Sequence, residues 1–145
     1  MLAEDDGSLA GLWFDLHSDI QKALAAEHGV TRELFTFWAK DNFHLRGIAI
    51  DDAMRGVIAT GKGTLHVAVH PSIKGRWLRD LELVLREQLA HCPIEVATDT
   101  QDKQACAFIE RAGGVPLEES GRVKRYKIDL QQMWFQRSAR HERNC

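Results

Sequence analysis

The sequence predicts one α+β domain over residues 1–130, built on a mixed, mostly antiparallel sheet of about six or seven strands flanked by about four helices. Three observations carry this. Apolar residues alternate with polar ones in three consecutive short runs between Phe43 and Val69, the period of half-buried strands. A strand, a tight loop and an amphipathic helix follow each other from Thr64 to Ala90. A second strand and helix, ended by Gly113-Gly114, then lead into a closing pair of strands.

Ser8 to His28 reads as a helix with Leu9, Leu12, Trp13, Leu16, Ile20, Ala23 and Leu24 on one face and Gly29 as its stop. Thr31 caps a second predicted helix through Ala39, with Leu34, Phe35 and Trp38 inward. Phe43 to Ile50 and Met54 to Ala59 are strands joined by Asp51-Asp52-Ala53. Thr60-Gly-Lys-Gly63 turns the chain into the central strand. There Leu65, Val67 and Val69 alternate with His66, Ala68 and His70, and Pro71, lacking an amide hydrogen, closes the strand. Trp77, Leu81, Val84, Leu85 and Leu89 recur at helical spacing, which makes Trp77 the first core anchor of the next helix. Ile94 to Thr98 is a strand. Thr100 or Asp102 caps a helix with Ala105, Phe108, Ile109 and Ala112 inward, and Val115–Leu117 and Val123–Leu130 close the sheet. Residues 131–145 carry Met133, Trp134 and Phe135 ahead of Arg137, Arg140 and Arg143, a tail or short docking helix.

Bulk composition narrows the function. With 44% hydrophobic and 28% charged residues the chain is globular and not disordered. A net charge of −2 and a pI near 6.4 give no reason to expect nucleic acid or an anionic membrane as partner. No apolar run approaches the roughly 20 residues of a membrane span. The acidic N-terminus lacks the basic and apolar regions of a signal peptide, so a cytoplasmic or virion-associated protein is expected. Cys92, Cys106 and Cys145 are odd in number and lack metal-ligand spacing, as free thiols in a reducing compartment do.

Two stretches carry a family resemblance. Val69-His-Pro-Ser-Ile-Lys-Gly-Arg-Trp-Leu-Arg79 resembles the pyrophosphate motif of the GNAT acyl-CoA N-acyltransferases, and Asp102-Lys-Gln-Ala-Cys-Ala-Phe-Ile-Glu-Arg-Ala-Gly113 resembles their later helical motif. The element order is also theirs over residues 43–129. Among such relatives the chain looks most like divergent, phage-encoded members that keep a Pro…Gly-Arg-Trp loop. The resemblance implies a GNAT-like fold, acetyl-CoA as the acyl donor, and Lys74, Gly75, Arg76 and Arg79 as its phosphate-binding residues.

The departures point away from catalysis. Trp77 and Arg79 occupy the places of the glycines that let the pyrophosphate reach backbone amides. Ile109 stands where the family places the tyrosine that protonates the leaving thiolate, and Asp102 replaces the motif's Asn. The only tyrosine, Tyr126, lies on the last predicted strand, while Cys106 reads as a small buried hydrophobe. His66 is the candidate general base, sharing a strand face with His70 that otherwise reads as solvated or partner-facing. With no third ligand fixed nearby (His44 would need a favourable register), no metal is expected. The leading expectation is therefore a noncatalytic GNAT-like pseudoenzyme without cofactor, a structural or interaction module of a phage particle that docks a protein partner or a second copy. The alternative is an acetyl-CoA-dependent N-acetyltransferase with a divergent cofactor loop and His66 as base.

Overall fold

The computed structural model describes residues 1–129; the predicted tail at 131–145, with Met133, Trp134 and Phe135, lies outside them. The elements are β1 (Leu2–Glu4), α1 (Leu9–Asp15), α2 (Asp19–Glu27), α3 (Arg32–Asn42), β2 (His44–Ile50), β3 (Ala53–Gly61), β4 (Thr64–Val69), a 3-10 helix (Pro71–Trp77), α4 (Leu78–Leu89), β5 (Ile94–Asp99), α5 (Lys103–Arg111), β6 (Val115–Ser120) and β7 (Val123–Ile128). The strands form one seven-stranded sheet in the order β1-β2-β3-β4-β5-β7-β6, and the mixed α+β, mostly antiparallel expectation holds. Two compact units are distinguishable, residues 1–62 with 66–83, and residues 63–65 with the chain from Val84 on.

In the first unit the meander is set by two tight turns. Ile50 pairs with Ala53 across Asp51-Asp52, both at positive φ, as a two-residue hairpin between twisted strands requires. Lys62-Gly63 repeats the device ahead of β4. The acidic N-terminus, read from sequence only for its lack of a leader, supplies β1, whose Leu2 pairs with Ile48 of β2. The Met1 ammonium bonds the Ala49 carbonyl at 2.9 Å and lies 2.9 Å from the buried Asp80 carboxylate.

The predicted Ser8–His28 helix is two helices. Ser18 adopts an extended conformation and forms a capping box with Gln21, which starts α2 afresh. His17 Nδ1 donates to the Trp13 carbonyl at 2.9 Å and thereby finishes α1. Leu9 and Trp13 are buried as expected, together with Ala10, but Ile20 and Leu24 on α2 are exposed. On α3, Ala39 is buried and Phe35 half-buried, whereas Leu34 and Trp38, expected inward, are largely exposed.

Trp77 also departs from expectation. Pro71 opens a seven-residue 3-10 segment whose period of 3.0 residues shifts the inward positions. Ile73 is buried at 2% exposure, Trp77 is only half-buried, and the apolar stripe of α4 begins at Leu81.

In the second unit, β4 begins beside β5 in parallel, with Thr64 opposite Glu95 and Glu95 N donating to the Gly63 carbonyl at 2.8 Å. Asp102 caps α5 by accepting from Ala105 N, as the sequence indicates. Cys106, Ile109 and Ala112 are buried with Ile94, Tyr126 and Ile128 of β5 and β7.

Candidate active site

The strand period of β4 turns Leu65 into the core and sends His66 to the opposite face, with Ala68. That face is covered. Ala68 packs against the cluster formed by Leu9, Trp13, Ala39, Leu45, Val57 and their neighbours. The His66 ring meets Trp13 of α1 at 5.5 Å between centroids and Phe43, the residue closing α3, at 5.4 Å and 89°. Trp13 in turn touches Phe35 at 5.0 Å and Phe43 at 5.5 Å. The sequence reads this strand face as solvated; the rings come from α1 and the end of α3, whose packing onto β4 no local pattern announces.

This wrapping sets the protonation state of His66. Burial removes water from the imidazolium, and the neighbouring His17 adds like-charge repulsion, so the His66 pKa falls below its ordinary 6.5. The neutral ring is the form that accepts a proton near pH 7. His70 does not share the role. It lies beyond β4 as the cap of the 3-10 helix, its Nδ1 accepting from Ser72 N at 3.1 Å with Ser72 Oγ 2.7 Å away. His44 is exposed at the start of β2 and pairs with Thr60. Among the described residues no group of three His, Cys, Asp or Glu could hold a metal ion.

The expected phosphate-binding residues sit together after β4. Lys74, Gly75 and Arg76 belong to the 3-10 segment and Arg79 to the first turn of α4. Gly75 is exposed, a Cβ built there would meet only Leu78 Cδ1, at 3.7 Å, and its carbonyl accepts from Leu78 N. Arg79 is exposed. Arg76 is also exposed and reaches Asp51 Oδ2 at 3.5 Å in a surface pair of little energetic weight, so its guanidinium is available to an anion. Trp77, half-buried, does not fill the place beside Gly75. Two exposed arginines on this segment, Arg76 and Arg79, suit a polyphosphate such as that of an acyl-CoA.

No phenolic acid is available. Ile109 is buried on α5, and Cys106 Sγ donates to the Asp99 carbonyl at 3.7 Å. Tyr126 is fully buried, donates to Glu110 Oε1 at 3.1 Å and has Lys124 Nζ 5.3 Å from its ring centroid. Burial, before any other cause, pushes its pKa up to about 12.

The architecture is that of the GNAT acetyltransferases. An acetyltransferase from Thermus thermophilus superposes with a TM-score of 0.64 at 19% identity, over 90% of this chain and 96% of the other. The PaiA N-acetyltransferase of Thermoplasma acidophilum, in complex with coenzyme A, gives 0.64 at 10% identity over 89% and 98%. YncA of Salmonella typhimurium, with its cofactor acetyl-CoA, gives 0.63 at 14% over 90% and 93%. No family model and no curated protein matches the sequence. At these identities the likeness establishes the fold.

These likenesses correct the expectation of a noncatalytic phage module. The fold is shared with acetyltransferases, including structures with coenzyme A or acetyl-CoA in place, which favours the enzyme alternative. Two of these structures hold coenzyme A or acetyl-CoA, which is consistent with the conditional expectation of acetyl-CoA.

Proposed function

We propose that the protein is an acetyl-CoA-dependent N-acyltransferase in which His66 takes the proton of the acceptor amine. One observation carries the reading: a histidine on the central strand is held neutral by burial against Trp13 and Phe43, immediately before an exposed, arginine-bearing loop and helix start. A base must be unprotonated before the amine arrives, and this shell keeps it so.

Arg76 and Arg79, both exposed, would hold the phosphates of the acyl donor. Acetyl-CoA supplies an acetyl group activated as a thioester. The acceptor nitrogen forms the new C–N bond as the C–S bond breaks, and the nitrogen's proton passes to His66 Nε2 or Nδ1, directly or through one water. His66 then returns it to solvent. Ile109 can donate nothing, so the thiolate takes its proton from water, which a leaving group with a thiol pKa near 8.5 permits.

The test is thiol release in the presence of acetyl-CoA and a panel of primary amines. Release that requires both reactants supports the reading; a protein that neither binds acetyl-CoA nor transfers its acetyl group contradicts it.

A further inference from the structure

Two imidazoles meet the same indole. His66 lies 5.5 Å from Trp13 between centroids, and His17, just past the end of α1, stacks on Trp13 at 6.4 Å and 24°. His17 is tied to that residue by a bond as well. Its Nδ1 donates to the Trp13 carbonyl at 2.9 Å, with the Phe14 carbonyl 3.3 Å away, and its ring meets Phe35 edge-on at 5.5 Å and 79°. The neutral Nδ1–H tautomer and the imidazolium both make this bond, so it survives protonation of His17. Trp13 is 6% exposed and packs on Phe35 and on Phe43, the other ring against His66.

We propose that His17 is a positioning residue for the candidate base: by bond and stack it pins Trp13, and Trp13 keeps water from the His66 ring. The consequence for transfer rests on the acyltransferase reading; the packing relation does not. Satisfying the Trp13 carbonyl is a role that any donor at this position fills. The stack is additional, and it sets the His17 ring in the layer that excludes water from His66. His17 has a second route to His66, its own charge, which opposes a proton there. Among the described residues it is the titratable group whose charge bears on His66, while Asp15 of α1 and Arg32 of α3 hold each other through two bonds of 3.0 and 3.1 Å. Burial outweighs that charge, so the route through Trp13 is the larger. Substitution separates the two routes, because Asn keeps an N–H at the place of Nδ1 and carries no charge.

The test follows His66 by NMR titration of the whole chain, its resonance among the seven histidines assigned by its loss in His66→Gln, alongside the acid limb of kcat. His17 is half-buried at a helix end, so neither His17→Ala nor His17→Asn threatens the core. In His17→Ala we expect the His66 midpoint to rise toward 6.5 and the acid limb of kcat to rise with it. His17→Asn should return most of that shift, since it keeps the donor to the Trp13 carbonyl. A His66 midpoint that His17→Ala leaves at the parent value overturns the proposal, because a residue that only ends α1 would lower the melting temperature and nothing more. So does a midpoint as high in His17→Asn as in His17→Ala, which would make charge, not placement, the link. The expected titration shifts with no acetyl transfer by the parent support the placement while removing the acyltransferase reading. Transfer by the parent with the same acid limb in His17→Ala does the reverse.

Discussion

His66 stands at 89° to the ring of Phe43, 5.4 Å between centroids, with Trp13 5.5 Å away. This enclosure affects stability independently of catalysis. The folded-state pKa of His66 lies below its unfolded value of 6.5, so between those two values the unfolded chain binds a proton that the folded chain does not. The stability at stake is fully present above about pH 6.5 and is lost as pH falls through the folded pKa. Denaturant unfolding at pH 7.5, 6.5 and 5.5 should show this decline, and His66→Phe should flatten it. An unchanged slope in the variant would place the titration elsewhere.

Tyr126 gives the opposite sign. It is the only tyrosine in the chain, so phenolate absorbance reports it alone. Its pKa is raised to about 12 by burial, so above pH 10 the unfolded state ionises first and stability falls as pH rises toward 12. Ultraviolet titration should show no phenolate at pH 10.5 in the folded protein and rapid appearance on unfolding. Half-ionisation near pH 10 with the fold intact would contradict the buried placement.

Gly61 fixes the approach of α3 to β3. A Cβ there would stand 2.5 Å from the Asn42 carbonyl oxygen and 3.1 Å from Phe43 Cδ1, and backbone cannot yield as a side chain does. Gly61→Ala should cost on the order of 1–3 kcal/mol in unfolding free energy. It should also loosen Phe43 over His66, seen as a rise of the His66 pKa toward 6.5 by NMR titration. A neutral effect on both would mean that the α3–β3 contact is looser than this geometry.

The loop after β4 should bind the acyl donor through charge. Acetyl-CoA at about 100 times its dissociation constant should stabilise the fold by roughly 2.7 kcal/mol, read as a raised melting temperature. Replacing both Arg76 and Arg79 by Ala should weaken binding by about tenfold or more, and the loss should shrink as salt is added. No thermal shift with millimolar acetyl-CoA would leave the loop without its assigned ligand.

Much of this fold is legible in the residues. The hairpin turns at Asp51-Asp52 and Lys62-Gly63, the Asp102 cap and the Gly113-Gly114 stop are local signals, and each marks an element end. The break at Ser18 is also written locally, as Ser followed three residues later by Gln, but the apolar stripe running across it masks the signal. Trp77 misleads because helical spacing assumes 3.6 residues per turn where Pro71 starts a 3-10 segment. His66 is recognisable as a candidate base, whereas its shell is not. Trp13 and Phe43 reach it through tertiary packing, and from sequence they read only as aromatic density in the first third of the chain.

The central claim is that His66 accepts the amine proton in acetyl transfer. The most direct measurement is the pH dependence of kcat for the parent and His66→Gln, using acetyl-CoA and an amine that the parent acetylates. We expect a parent kcat that falls on the acid side with a midpoint below 6.5, a kcat lower by about 10²–10⁴ in His66→Gln, and acetyl-CoA binding preserved in that variant. A variant that transfers at the parent's rate with the same acid limb would contradict it.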